Sequence, residues 1–192
     1  MPSYSIARLL AGIVGLCLIA SMAHAADEKT LSASRARAQE ALALLDSSDP
    51  YQRQLGFMRL EALRDPSTID NIRPFLKDKD ESNRAQSLRA LAAIQGVAAI
   101  PVLLEALRND EEPRVRRAAL LGLEPLAVNQ DNVIAALIES LSDRSTEVRI
   151  SAVDIVSRID DPTAREALRK RSKREVNKNV RRVLSSALKR NQ

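Results

Sequence analysis

The chain has 192 residues, of which 45% are hydrophobic, 29% charged and only 2% aromatic, with five Gly, no Trp and a formal net charge of +5. So few aromatic residues and glycines argue against a β-sandwich or barrel, and the hydrophobic fraction argues against disorder. A chain of this length has the size of one domain, and its Leu, Ile, Val and Ala content predicts an all-α core.

Residues 1–25 have the pattern of a cleavable signal peptide. Arg8 supplies the basic start, an apolar run follows at 9–22, and Ala23-His24-Ala25 is a small-x-small cleavage pattern. The apolar run is shorter than the roughly 20 residues that span a bilayer. We therefore expect cleavage after Ala25, with an uncleaved membrane anchor and a lipoprotein modified at Cys17 as alternatives.

Cleavage at this site changes the chemistry that remains. Cys17 and His24 are the only Cys and the only His of the chain, so both are lost, and the loss of Arg8 lowers the net charge by one. A mature chain without cysteine forms no disulfide and suits an oxidising compartment. The expected location is the periplasm or the outside of the cell.

The mature chain is expected to begin with a linker and capping helix at 26–48, followed by a repeat domain at 49–192. In the capping helix, placed at 33–45, the apolar positions Ala38, Ala41, Leu42 and Leu45 recur at helical spacing and are predicted to face the core.

An arginine recurs along the repeat domain with a period near 32 residues. Successive arginines are 31, 32, 33 and 32 residues apart, and an acid lies six residues before each of the last four. A repeat of this length predicts a stack of supersecondary units that bury their apolar faces against one another. The arginines are Arg53, Arg84, Arg116, Arg149 and Arg181, and the acids are Asp78, Asp110, Asp143 and Glu175.

Each repeat contains two helical patterns. The first helix carries the arginine and then an apolar stripe such as Ala119, Leu120 and Leu123. Asp-Pro pairs at 49–50, 65–66 and 161–162 are typical helix starts, with a capping residue before a proline. The predicted core positions of the second helices are Ile69, Ile72, Leu76, Ile100, Leu103, Leu104, Leu107, Ile134, Leu137, Ile138, Leu141, Ala164, Ala167 and Leu168. Together with the two terminal helices, this predicts ten helices.

The pattern Asp-x5-Arg-x2-Ala, followed by a Leu-rich helix and by AAIPVLLEAL at 98–107, resembles a HEAT-like repeat of the phycobilisome-lyase type. The resemblance covers roughly residues 46–190. It implies a right-handed α-solenoid, armadillo-like, of about four helix pairs plus terminal capping helices. It also implies that the second helices line a concave, partner-binding face. The first repeat departs from the pattern at Gln52 and Gly56, where the pattern has Val and Ala, so its register stays open.

The carboxyl-terminal end is strongly basic. Residues 165–192 contain 11 basic residues against Glu166 and Glu175, and the last helix, placed at 176–189, has a stripe of apolar residues that includes Val176. The end is interpreted either as a solubilising cap or as a surface for anionic lipid, an acidic protein or a polyanionic polymer. Nucleic acid is not expected, because no aromatic residue follows Phe75 to stack on bases. The basic patch is Arg169, Lys170, Arg171, Lys173, Arg174, Lys178 and Arg182.

The mature sequence lacks the residue types of most catalytic sites. Without His and Cys it has no Ser-His triad, no thiolate and no His/Cys zinc site, and no nucleotide-binding glycine motif is present. Di-iron hydroxylases of the resembled family use His-Glu pairs, which are missing here, and a tetrapyrrole lyase-like enzyme is implied by resemblance alone. We predict no catalytic residue, cofactor or metal.

One acidic turn invites a calcium interpretation. Asp78, Asp80 and Ser82 begin like a calcium loop, but Asn83 stands where Gly is expected and Arg89 where Glu is expected. We therefore interpret this stretch as a turn with helix caps.

The five arginines that recur with the period of the repeat are interpreted as structural residues. We expect each to bind the acid six residues before it or a carbonyl of the neighbouring repeat, with a ligand-binding role as the alternative. If the second helices line the concave face, Asn71, Glu105, Glu139 and Arg169 share one phase along it, flanked by Arg73 and Arg165. These six residues are the predicted partner-binding positions, and a solvated face without a partner is the alternative.

The sequence therefore favours an exported, non-catalytic scaffold or adaptor that binds a protein or peptide in the cell envelope. The alternatives are an enzyme related to the tetrapyrrole lyases or hydroxylases, and an electrostatic binder of anionic membrane or polymer through residues 165–192.

Overall fold

The computed structural model describes residues 28–190, and every regular element in that range is helical, as predicted. The predicted signal peptide at 1–25, its cleavage site, Cys17 and His24 lie outside the described residues. The described range contains ten α-helices: α1 (28–45), α2 (Pro50–Leu63), α3 (Ile69–Ile72), α4 (Glu81–Gln95), α5 (Ile100–Asn109), α6 (Pro113–Leu123), α7 (Asp131–Glu139), α8 (Thr146–Val156), α9 (Pro162–Arg174) and α10 (Lys178–Arg190).

The helices form the predicted series of one cap, four pairs and one final helix. We call α2, α4, α6, α8 and α10 the first helices, and α3, α5, α7 and α9 the second helices. Each first helix packs on the first helices before and after it, so the fold is an α-solenoid.

Prolines and capping residues begin the helices where the sequence predicted. Asp49 accepts a hydrogen bond from the Tyr51 amide, and Asp161 accepts one from the Ala164 amide, each directly before a helix that starts with proline. Asp65 caps a 3₁₀ turn at Pro66–Thr68 in the same way.

The second helix of the first repeat is broken. Its α-helical part, α3, has only four residues and lies between 3₁₀ turns at Pro66–Thr68 and Arg73–Lys77. Pro74 has no amide hydrogen to continue the α-helical ladder, which explains the change to 3₁₀ geometry. The α7 helix also ends in a 3₁₀ turn, at Ser140–Ser142.

One predicted core residue is misplaced. Val176 was expected in the inward stripe of the last helix, but it is 84% exposed, because it lies in the connection before α10 begins. Val180, Leu184 and Ala187 of the same stripe are buried as predicted.

The stretch Glu81–Asn109 is by length and composition apolar enough to cross a membrane. In the structure it is the central helix pair, α4 and α5, joined by a 3₁₀ turn at Gly96, whose φ of 55° suits glycine. Its leucines, among them Leu88 and Leu103, lie in the hydrophobic core.

Candidate functional site

The recurring arginines join each repeat to the next. In the second repeat, Arg84 Nη1 donates to the backbone carbonyl of Asp78 at 2.8 Å, while its Nε and Nη2 donate to the carboxylate of Asp110 at 2.8 and 3.0 Å. Arg116 binds the Asp110 carbonyl and the Asp143 carboxylate in the same way. Arg149 binds the Asp143 carbonyl and the Glu175 carboxylate. We call this series the arginine ladder.

The ladder confirms the interpretation of the recurring arginines as structural residues. The groups that bind them, however, are the reverse of those expected. The acid six residues before each arginine contributes its backbone carbonyl, and the carboxylate comes from the following repeat. The carboxylates are fixed in turn by backbone amides two residues later, since Asp110 accepts from the Glu112 amide and Asp143 from the Ser145 amide. Each acid therefore closes its own turn and binds the preceding repeat.

The central ladder pairs are buried. The side chains of Arg116 and Asp143 are 3% and 10% exposed. Burial by itself would raise the pKa of Asp143, but hydrogen bonds from Arg116 and from the Ser145 amide outweigh it and hold the pKa below its usual value. The same balance lowers the pKa of Asp110, which is bound by Arg84.

The last ladder acid, Glu175, binds two arginines. Its buried carboxylate accepts from Arg149 Nε at 3.0 Å and from Arg171, and its Oε1 accepts from the Asn177 amide. Burial opposes ionisation, but the hydrogen bonds from Arg171, Asn177 and Arg149 together lower the pKa of Glu175 to about 2.

The two ends of the ladder differ from its centre. Arg53 binds the carbonyls of Ser47 and Ser48, so the first repeat keeps the register that the sequence left open, but its contacts to Asp80 and Asn83 are longer, at 3.4 Å. The guanidinium of Arg181 is exposed and has no hydrogen-bond partner among residues 28–190. The prediction of an intra-stack bond therefore does not hold for Arg181, because no described repeat follows it.

The two helical layers are spaced differently along the stack. Successive first helices are in extensive contact, whereas successive second helices contact one another much less. Small buried residues, such as Ser87, Ala119 and Ala152, occupy the position three residues after the ladder arginine and allow this close approach. Because a double layer bends toward its more closely spaced side, the contacts favour the first helices as the inner face. The resemblance implied the opposite assignment.

A recess of about 480 Å³ lies on the first-helix face, where three first helices end. Glu61 of α2 and Arg64, directly after α2, line it, and Arg89 from α4 faces Glu61 at 3.4 Å. The apolar part of the recess comes from the end of α6 and the turn after it, with Leu121 42% exposed. The sequence reasoning missed these residues, because it looked for a binding face on the other layer. The remaining lining residues are Ala92, Ala93, Gly96, Gly122, Pro125 and Leu126.

The predicted second-helix positions are exposed, and their sequence offsets within the repeats differ. Counted back from the ladder acid that ends each repeat, Glu105 lies five positions away, Glu139 four, Arg169 six and Asn71 seven. The 3₁₀ turns at the ends of α3 and α7 shift the phase that a regular helix would keep. These four residues therefore occupy different positions in their repeats.

One contact joins neighbouring second helices near the predicted positions. Arg108 Nε lies 4.0 Å from Glu139 Oε2, beside a recess of about 350 Å³ between α5 and α7. Arg108 was not among the predicted residues. The predicted flanking arginines form local pairs instead, Arg73 with Asp70 at 3.7 Å and Arg165 with Asp160 at 2.7 Å.

The predicted basic patch is exposed except at Arg171, whose guanidinium is bound to Glu175. Lys170 lies 3.9 Å from Glu166, an exposed pair. For the other five side chains the described residues offer no hydrogen-bond or ion-pair partner: Arg169, Lys173, Arg174, Lys178 and Arg182.

The turn that resembles a calcium loop caps a helix, as interpreted from the sequence. Asp80 Oδ1 accepts from the Ser82 amide at 2.8 Å at the start of α4, and Asp78 Oδ1 accepts from the Asp80 amide. No cluster of three metal-ligating side chains occurs among the described residues.

Fold and ladder together define the class of protein: a stack of helix pairs joined by a repeating arginine–acid ladder is an α-solenoid repeat protein. The sequence profile of HEAT repeats matches residues 38–124 and 101–189, and the chain belongs to the HEAT-repeat family.

Solved structures of the same architecture extend this assignment. The complex of CpcE and CpcF of phycocyanin lyase from Nostoc sp. PCC7120 contains a chain with a TM-score of 0.65 and 23% identity, covering 79% of this chain and 98% of that one. YibA of Escherichia coli has a TM-score of 0.62 and 19% identity, covering 85% and 63%. A computationally designed armadillo repeat protein for modular peptide recognition has a TM-score of 0.50 and 16% identity, covering 84% and 93%.

At these identities the likeness establishes the fold alone. The curated proteins contain no match to this chain.

Proposed function

We propose that this chain is an exported, non-catalytic scaffold that binds a protein or peptide partner on its first-helix face. The observation that carries the proposal is the recess of about 480 Å³, which extends over three consecutive repeats beside exposed apolar side chains. Concave surfaces of this kind are the binding surfaces of solenoid proteins. The designed armadillo neighbour is described as made for peptide recognition, and CpcE and CpcF are described as a complex, which supports this partner class.

The lining of the recess indicates the chemistry of the partner. Arg64 and Arg89 stand against a single acid, Glu61, so one positive charge is in excess. Leu121 is half exposed beside them, and Met58 on the neighbouring α2 is 52% exposed. An extended segment with an apolar side chain next to a carboxylate would bury the leucine and pair the free guanidinium.

The experiment is a capture from envelope extract with the chain 26–192, identification by mass spectrometry, and a binding titration with the purified partner. The test variant combines Arg89→Glu with Leu121→Asp on the first-helix face. The matched variant combines Glu105→Lys with Arg169→Glu on the second helices. Loss of at least tenfold in affinity in the first variant alone supports the proposed face.

Loss in the second variant alone would overturn the face and return the site to the second helices. A chain that captures no partner at either low or high salt would contradict the scaffold function.

Export is proposed on the pattern of residues 1–25, and the absence of catalysis on the lack of His and Cys after Ala25. Expression of the full chain in a bacterium, fractionation and amino-terminal sequencing test the first point. A periplasmic protein that begins at Ala26 is expected, and a cytoplasmic protein that keeps Met1 would overturn export.

A lyase-like enzyme is the second candidate, and the likeness to a chain of the phycocyanin lyase complex over 98% of its length is the observation that favours it. The purified chain would then change the absorbance spectrum of an added bilin. A chain that leaves the spectrum unchanged and contains no iron removes this candidate.

A further inference from the structure

Cations concentrate at the corner where α9 ends and α10 begins. Lys173 and Arg174 belong to the last turn of α9, and Lys178 and Arg182 lie one turn apart on α10. All four side chains are exposed, and the structure gives none of them a partner among residues 28–190. We call these four residues and Val176 the basic corner.

The acid nearest to the corner does not neutralise it. Glu175 lies in the connection itself, but its side chain is fully buried and is held by Arg149 and Arg171. Its charge is therefore satisfied inside the arginine ladder. The corner keeps four uncompensated positive charges at its surface.

An exposed apolar residue lies between these cations in the sequence. Val176 is 84% exposed and directly follows the ladder acid Glu175. The residue at the equivalent position is polar in the first repeat, Ser48, and charged in the next three: Lys79, Glu111 and Arg144. Val176 is therefore the one apolar residue at this position of the described repeats, and it lies between Arg174 and Lys178 in the sequence.

We propose that the basic corner docks on an anionic lipid bilayer. The four cations bind lipid phosphates, and the Val176 side chain enters the headgroup region between them, as basic and apolar groups combine in interfacial anchors. An acidic protein is the less suitable partner, because Val176 projects from a turn rather than lining a groove. This docking lies beyond the proposed partner binding and does not use the residues of the recess at α2, α4 and α6.

Fluorescence gives a site-specific test, because the chain contains no Trp. In the chain 26–192, which includes every described residue, Val176→Trp places a single tryptophan in the corner. Val128→Trp is the matched control, since Val128 is another exposed valine, 77% exposed, in the connection between α6 and α7. The probes are vesicles of phosphatidylcholine alone and vesicles with one quarter phosphatidylglycerol.

The tryptophan emission of the Val176→Trp variant is expected to shift to the blue on the anionic vesicles at low salt, but not on the neutral ones, and the shift should weaken at 0.5 M salt. The emission of the Val128→Trp variant should stay unchanged. An emission spectrum of Val176→Trp that does not change on adding anionic vesicles would overturn the docking at this corner. An equal shift in the Val128→Trp control would overturn it as well. A shift of the Val176→Trp emission with polyglutamate but not with vesicles would assign the corner to an acidic protein instead.

A charge series on the chain 26–192 checks the electrostatic part by co-sedimentation. Lys173→Gln, Arg174→Gln and Lys178→Gln together should lower the partition onto anionic vesicles about a hundredfold. Lys77→Gln, Lys79→Gln and Arg114→Gln make the same change of net charge at exposed positions elsewhere and should lower it only a few-fold. Equal losses in both variants would show attraction by net charge alone and would contradict a defined docking site.

Discussion

At the scale of the single residue, Arg84, Arg116 and Arg149 each bind two sets of partners. In each, Nη1 binds the carbonyls of its own turn, and Nε and Nη2 bind the acid of the next repeat. The planar guanidinium has five donors in a fixed arrangement, which lets one side chain satisfy both sets. Lysine lacks this geometry, which explains the choice of arginine at these three positions.

The ladder should be essential where it is buried and dispensable where it is exposed. Arg116→Ala leaves the carboxylate of Asp143 buried without its cation, which should cost about 3–5 kcal/mol of unfolding free energy. Arg181→Ala changes the equivalent position of α10, where the guanidinium has no partner among the described residues, and should cost less than about 0.5 kcal/mol. Urea unfolding of both variants checks this, and equal losses would contradict the structural interpretation of the ladder.

The ladder also makes stability depend on acid pH. The pKa of Glu175 is about 2 in the folded protein against an ordinary value of 4.5. Between these pH values the unfolded chain binds more protons at Glu175 than the folded protein does. The contribution of Glu175 to the free energy of unfolding is therefore fully present above about pH 4.5 and is lost as the pH falls toward 2. Glu175→Gln should be less stable than the parent at pH 7, and the difference between their urea midpoints should shrink below pH 4.5. A difference independent of pH would show that the charge of Glu175 is not responsible.

At the scale of the helices, the spacing between neighbours is set by small side chains. Gly56 lies where α1 crosses α2, and a Cβ there would stand 2.8 Å from the backbone oxygen of Ala41. The repeat pattern has Ala where the first repeat has Gly56, and this difference left the register of that repeat open. The structure explains the glycine, because the capping helix α1 leaves no room for a Cβ at this position. A Cβ at Gly122 would instead meet the methyl groups of Leu103 and Ala92 at 3.1 and 3.2 Å.

Gly56→Ala should consequently destabilise the protein although alanine is the better helix former. The added Cβ would clash with a backbone oxygen, which cannot move aside as the end of a flexible side chain can. Overpacking of this kind costs about 1–3 kcal/mol. This cost exceeds the roughly 1 kcal/mol that alanine gains over glycine in helix propensity. Gly122→Ala should be tolerated better, because leucine methyl groups can shift. Thermal unfolding of the two variants decides the point, and a Gly56→Ala protein as stable as the parent would refute the close approach.

The sequence predicted the helices well, because apolar spacing, Asp-Pro starts and the arginine period all mark them locally. It did not predict Pro74 breaking α3 or the 3₁₀ turn that ends α7. The inner face that the helix contacts favour also differs from the one that the resemblance implied. Which layer is more closely spaced depends on side-chain contacts between repeats, and a period in one chain carries no information on these contacts.

At the scale of the whole molecule, the hydrophobic core is divided. The larger cluster extends from α4 to α10, and the smaller one joins α1, α2, α3 and part of α4. Phe57 and Phe75 meet edge to face inside the smaller cluster, with ring centres 5.2 Å apart. The smaller cluster also has the weaker ladder contacts, those of Arg53 at 3.4 Å. The amino-terminal repeat is therefore expected to unfold locally more easily than the central repeats.

In a solenoid, each repeat is stabilised mainly by its contacts with neighbouring repeats. A destabilising substitution in one of the two clusters should therefore change the rates of amide hydrogen exchange differently in the two clusters. Leu60 and Leu123 are fully buried and stand seven residues after Arg53 and Arg116, one in each cluster. Each change to Ala should cost about 2–5 kcal/mol. Leu60→Ala should accelerate amide exchange in α1, α2 and α3 while α6 and α8 stay protected, because the larger cluster closes without it. Leu123→Ala lies between repeats on both sides and should accelerate exchange throughout the chain. Uniform acceleration by Leu60→Ala as well would mean that the ladder and α4 couple the two clusters into a single cooperative unit.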